Sequence, residues 1–179
     1  MQYWSDLYLE LSQQITDNLS EIEWCDLWHE QVSYLTSELP FPTPAVFIAF
    51  NMLDAEDKGL HGQTCNTQVD FFLFYETFSD TYAGSINQAS ALDFLKQLTE
   101  MHKLFHGTSG TNYSEMRRVD MKREDSGGAG NLYRISFQCI VDDMSAAPQY
   151  NDTDVSEVSI SRGEITHIVD DNPIFTVEL

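Results

Sequence analysis

Three stretches of this chain predict an α+β domain. In residues 85–107 apolar side chains recur at Ala91, Phe94, Leu95, Leu98, Met101, Leu104 and Phe105. Those steps of three and four lay one apolar stripe along a helix of about five turns. Residues 64–77 and 132–141 flank it and alternate apolar with polar side chains, the period of a strand. A stripe that wide needs a sheet to cover. The expectation is a single domain: a mostly antiparallel sheet with a long hairpin packed on this core helix, an N-terminal helix, and an extended C-terminal arm.

The elements follow in chain order. Tyr3, Leu7, Leu11, Ile15 and Leu19 form an i, i+4 series widened by Trp4 and Tyr8, so the first helix is amphipathic. Residues 22–28 read as a short strand, and Trp28, Val32 and Leu35 fit a turn or two of helix. Pro40, Pro42 and Pro44 make an extended lead-in, because each removes a donor and restrains its predecessor. The wholly apolar AVFIAF at 45–50 is then a strand buried on both faces. Residues 51–63 turn polar and acidic with two glycines and read as a loop.

In the strand at 64–77, Cys65, Thr67, Val69, Phe71, Leu73 and Tyr75 share one face. The opposite face begins polar but ends in Phe72 and Phe74, which the first helix, another strand or another subunit must cover. Ser85 with Gln88 three residues on suggests a capping box for the core helix, and Gly107 suits its left-handed terminus. Residues 113–123 alternate weakly and 132–141 strongly, with Tyr133, Ile135, Phe137, Cys139 and Val141 facing in and Arg134, Ser136 and Gln138 facing out. The glycine-rich stretch between them is a hairpin tip. The core should therefore be Val46, Val69, Phe71, Leu73, Ile135 and Phe137 against Phe94, Leu98, Met101 and Phe105. Residues 1–143 form the domain, and 144–179 form a C-terminal extension with a small hairpin suggested at 158–169.

Composition bounds the function. With 42% hydrophobic residues, eleven Phe, eight Tyr and three Trp, the chain has ample material for a core. No apolar run is long enough to span a membrane, and the N-terminus lacks a basic start and a cleavable apolar stretch, so cytoplasmic synthesis and no membrane partner are expected. Cys25, Cys65 and Cys139 are odd in number and scattered, and read as reduced core residues. Acids outnumber bases 29 to 9, a formal charge of −20. Lys58 is the only base before Lys96, whereas Arg117, Arg118, Lys122, Arg123 and Arg134 crowd one short stretch. A field of that sign opposes sequence-specific DNA binding, which needs a positive footprint.

Catalytic constellations are missing from the sequence. His102 and His106, one helical turn apart beside Glu100, have a spacing that can hold a metal, but the H-E-x-x-H order and a third ligand are lacking, so no metal site is assigned. There is no G-x-S-x-G elbow and no nucleotide-binding glycine motif; the GGAG at 127–130 joins two strands. Asp142–Asp143 and Asp170–Asp171 are pairs that a chain this acidic brings together by chance. No enzyme and no cofactor are predicted.

The order of elements is an amphipathic helix, a Pro-led strand at P-T-P-A-V (42–46), a long strand at 64–77 running into the helix at 85–107, and paired strands at 113–123 and 132–141. In that order, over residues 1–143, the chain resembles the tail-terminator, or tail-completion, family of long-tailed bacteriophages and prophages. The resemblance implies a virion structural protein made in the host cytoplasm. It would form a homo-oligomeric, hexameric ring at the head-proximal end of the tail, between the tail tube protein and a head-completion or connector protein. Genomic DNA would pass through without sequence-specific binding, and an acidic channel wall would let it slide. The extension at 144–179 has no counterpart in the minimal family. Two subunit contacts follow as expectations: the bases Arg117, Arg118, Lys122 and Arg123 against an acidic first half, or the Phe72–Phe74 face. The bases could instead pair with Glu115, Asp120 and Glu124 on their own hairpin. Other readings of the same chain are a different connector ring or small tail protein, or a cytoplasmic acidic DNA mimic that occupies a basic cleft.

Overall fold

The computed structural model describes residues 3–34, 41–76, 80–127 and 130–148. Helix α1 (Tyr3–Asn18) precedes strand β1 (Trp24–Leu27) and a 3-10 turn (Gln31–Tyr34). Strands β2 (Ala45–Asp57) and β3 (Gln63–Tyr75) follow, then helices α2 (Gln88–Ala91) and α3 (Asp93–Phe105), and strands β4 (Ser114–Glu124) and β5 (Asn131–Asp143). The five strands make one sheet in the order β1-β2-β3-β5-β4. Only β1 and β2 run parallel; every other neighbouring pair is antiparallel, so the α+β expectation holds with a mixed sheet.

One face of the sheet carries both main helices. The predicted i, i+4 series of α1 is buried along its length, and Leu98, Met101 and Phe105 of α3 join it against Val46, Val69, Phe71, Leu73, Ile135 and Phe137. Phe71 stacks on Phe105 at 4.6 Å and meets Phe137 edge-on at 5.7 Å. Phe94, also expected in this core, is buried between Tyr75 and Tyr133. Each such side chain, fully buried, contributes about 1.5 to 3 kcal/mol.

The opposite face is apolar only at one end, as the change of character along 64–77 predicts. There Phe72 and Phe74 form a second cluster with Val32, Phe41, Ala45, Phe47 and Leu132. Trp28 stacks on Phe72 at 4.1 Å, and Phe41 stands edge-on to Phe74 at 6.0 Å. The chain between β1 and β2 thus covers these rings itself. Farther along this face Asp70 and Ser136 are buried and hydrogen-bonded to each other. Asn51 and Gln68 donate to the same carboxylate at 3.3 and 3.0 Å. Ser136 points away from the helices as expected, yet it is not open to water.

Three expectations need correction. Residues 51–63 are not a loop: β2 continues to Asp57, opposite Gln63, and only residues 58–62 turn, with the Lys58 N–H donating to Gly62 O at 2.7 Å. Both faces of this extension meet water, so its polar side chains carry no period. The helix at 85–107 is not continuous: α2 ends at Ala91 and α3 starts at Asp93, with Leu92 at φ −98° and ψ −1° between them. Ala91 and Phe94, on either side of the bend, are both buried, whereas Leu95, assigned to the stripe, is 43% exposed. The Ser85–Gln88 capping box does not form either. Ser85 Oγ accepts from the Asn87 N–H at 3.2 Å, and Gln88 Oε1 reaches past Ser85 to the Gly84 N–H at 3.5 Å. Gly107 does take the expected left-handed conformation, at φ 78°. Leu35, Pro40 and the suggested hairpin at 158–169 lie outside the described residues, as does most of the extension at 144–179.

Candidate functional site

Strand β4 lies at one edge of the sheet and carries the cationic stretch. Its register against β5 is interrupted between Ser114 and Arg117 and again between Arg118 and Asp120, with Glu115 at φ 57° in the first irregularity. Bulges of this kind raise the local twist and re-aim side chains, which explains the weak alternation of 113–123. The outer side of the first bulge is sheltered by the turn after α3. Gly107 N–H donates to Met116 O at 2.7 Å, Met116 N–H donates to Thr108 O at 2.9 Å, and the Arg118 N–H donates to Nδ1 of His106 at 3.1 Å. An imidazole here stands in for a strand carbonyl.

The cations divide by face and by partner. Arg118 and Arg123 sit opposite Phe137 and Tyr133, on the helix-bearing face; Arg117 and Lys122 sit opposite Gln138 and Arg134, on the other. Lys122 Nζ pairs with Glu124 at 3.0 Å. Arg134, which sequence reasoning left out of the site, reaches across from β5 to Asp120 at 3.4 Å and to Glu124 at 3.3 Å. Its alternation with Ser136 and Gln138 put it on the outward face, but its place opposite Lys122 is set by a register that the sequence did not show. Arg134 and Lys122 therefore take two of the acids that could have neutralised the hairpin. Among the described residues Arg117, Arg118 and Arg123 make no ion pair.

The remaining predicted residues fall elsewhere. Phe74 is fully enclosed and Phe72 nearly so, which leaves a neighbouring subunit access to these rings chiefly through the Trp28 that covers them. His102 and His106 do come together, ring centroids 4.5 Å apart, but Nδ1 of His106 is occupied by Arg118 and Nδ1 of His102 is buried without a partner. Burial lowers the pKa of His102, and the charges of Arg118 and His106 lower it further. Among the described residues no group of three His, Cys, Asp or Glu side chains is placed to hold a metal ion. Asp142 bonds to Lys58 Nζ at 2.6 Å and to Thr64 Oγ1 at 3.0 Å, and Lys58 first, then Thr64, holds its carboxyl below the usual range. Asp143 accepts from the Ser145 N–H instead; Asp170 and Asp171 lie outside the described residues. Burial pushes the thiols of Cys25 and Cys139 up to about 12 and raises that of Cys65, so all three stay protonated at neutral pH.

Sequence reasoning also missed Glu10. From the exposed side of α1 its carboxylate accepts the N–H groups of Thr111 and Asn112 at 2.6 and 2.8 Å and the Asn112 amide at 2.8 Å. It clamps the loop that launches β4. A Cβ on Gly110 would lie 2.0 Å from a Glu10 oxygen and 2.6 Å from a ring carbon of Tyr113, so a side chain there would displace the clamp. No helix among the described residues is long and apolar enough to cross a membrane.

No protein-family model matches the chain, and no curated protein matches it. Among solved structures it is similar to a chain of the virion of a native gene transfer agent (GTA) particle, with a TM-score of 0.41 and 13% identity, over 73% of this chain and 90% of that one.

Proposed function

We propose that the protein is a structural component of a phage-type virion, and within it the ring that ends the tail tube and joins it to the head connector. The observation that supports this reading is the order of elements on which the terminator resemblance rests. A helix precedes a Pro-led strand, a long strand leads to a helix that packs on the sheet, and a long hairpin completes the sheet. Charge supports the same role. A net charge of −20 suits a wall past which a phosphate backbone must move without sticking. Three arginines without acid partners among the described residues, on an edge strand, suit a subunit that joins others.

Deletion of the coding sequence from the particle-producing genome tests the role. Filled heads and unattached tails, the latter of irregular length, are the expected products, with joining restored by the purified protein. Intact tailed particles in its absence would overturn the reading. A loss confined to head completion, with tails of normal length, would move the protein to a different neck ring.

A further inference from the structure

We propose that the contact between copies runs edge to edge and head to tail, the β4 edge of one copy against the β1 edge of the next. This specifies the partner surface of the ring and rests on the reading that the protein forms one. The sheet order places β1 and β4 at opposite ends of the same sheet. The β4 end bears Arg117, Arg118 and Arg123 without acid partners among the described residues. The β1 end bears Glu23, Asp26 and Glu30, and Lys96 pairs outside them, with Glu21 at 3.9 Å. The sheet is thus a charged bar, positive at one end and negative at the other.

Each end also leaves two large apolar side chains partly open. Val119 and Met121 are 49% and 44% exposed on β4, and Trp24 and Leu27 are 40% and 36% exposed on β1. Trp24, opposite Ala45, and Leu27, opposite Ile48, flank the β1 edge on the two faces of the sheet, and apolar side chains set among charges are the make-up of an interface with a rim. The backbone on both edges is already partly engaged. Asp26 Oδ1 takes the Leu27 N–H and the Gln31 amide bonds its carbonyl, each at 2.8 Å, while Thr108, Gly107 and His106 take the outer groups of Met116 and Arg118. Side chains, not a continued strand ladder, therefore carry the contact at these positions. Charge also selects the symmetry. A two-fold contact would set β4 against β4 or β1 against β1, like charge against like, whereas β4 against β1 satisfies both ends and repeats from copy to copy.

A charge swap tests this, read by sedimentation of the purified full chain at about 0.15 M salt, where charges within a Debye length still act. The parent should self-associate at high protein concentration. Arg117→Glu with Arg123→Glu, and separately Glu23→Arg with Glu30→Arg, should each weaken association at least about tenfold. All four are exposed, so each variant should melt within about 2 to 4 °C of the parent, as for a change near 1 kcal/mol. Association should return when all four substitutions sit in one chain, and equally when the two double variants are mixed. A parent that stays monomeric at every concentration overturns the proposal. So does a parent that assembles but ignores the reversals, and in that case the ring reading stands without this contact. The particle phenotype of the deletion decides the role in the virion separately.

Discussion

His102 shows how a single side chain couples α3 to the cationic edge. Its Nδ1 has no partner in the interior, so a second proton would bury one more unsatisfied donor beside Arg118 and His106. The folded-state pKa is therefore below the ordinary value of about 6.5, and the unfolded chain binds more protons between the two values. Stability should be fully present above about pH 6.5 and fall as pH drops from there through the folded value, levelling off below it. NMR titration of the imidazole signals checks this directly: His102 should titrate below the ordinary value. A midpoint above that value would mean the ring is solvated or paired with an acid. Replacing His102 by Phe should flatten that part of the stability profile. Arg134 makes the complementary point: it pairs with Asp120 and Glu124, two of the acids nearest the cations of β4 among the described residues.

At the scale of elements, α3 separates the residues that pack from those that merely fit the period. Leu98 is buried against the sheet, and Leu95, one position off the inward line, is not. Leu98→Ala should therefore cost about 2 to 5 kcal/mol and Leu95→Ala about 0.5 kcal/mol or less, measured by denaturant unfolding. Equal losses would mean that the helix is rotated on the sheet. The i, i+4 series of α1 and the strand β5 were legible because one side of each is apolar and the other is not; in β3 the rings of Phe72 and Phe74 on the second face showed that a cover was needed, but not that the segment between β1 and β2 supplies it. The outer half of β2 was not, because water on both faces removes the alternation, and what holds it is backbone pairing with β3. The bend at Leu92 was equally hidden, since the apolar spacing continues across it. In the candidate site, the cations of β4 were visible as composition, but their sorting into paired and unpaired depends on Arg134 and on two bulges, neither of which leaves a local signature. Glu10 was invisible for another reason: its partners lie about a hundred residues away.

For the whole molecule, one charge distribution pulls stability and assembly in opposite directions. The chain carries −20, and folding holds the mutually repelling acids of the described residues closer together than the unfolded chain would. Raising salt from about 0.15 M to about 1 M shortens the Debye length from about 8 to about 3 Å, which relieves that repulsion. The melting temperature of the monomer should rise over this range, by about 2 to 4 °C for each kcal/mol relieved in a domain of this size. The same screening weakens attraction between exposed unlike charges, so association between copies through the β4 and β1 edges should fall. Apolar burial at Val119, Met121, Trp24 and Leu27 would respond the other way, since it does not weaken with added salt. Paired measurements of melting and sedimentation across this range distinguish the two. Stability rising while association falls is the signature of a contact carried by charge. Both rising together would shift the weight of the interface to its apolar side chains and make Met121→Ser, not reversal of the arginines, the substitution that disrupts it.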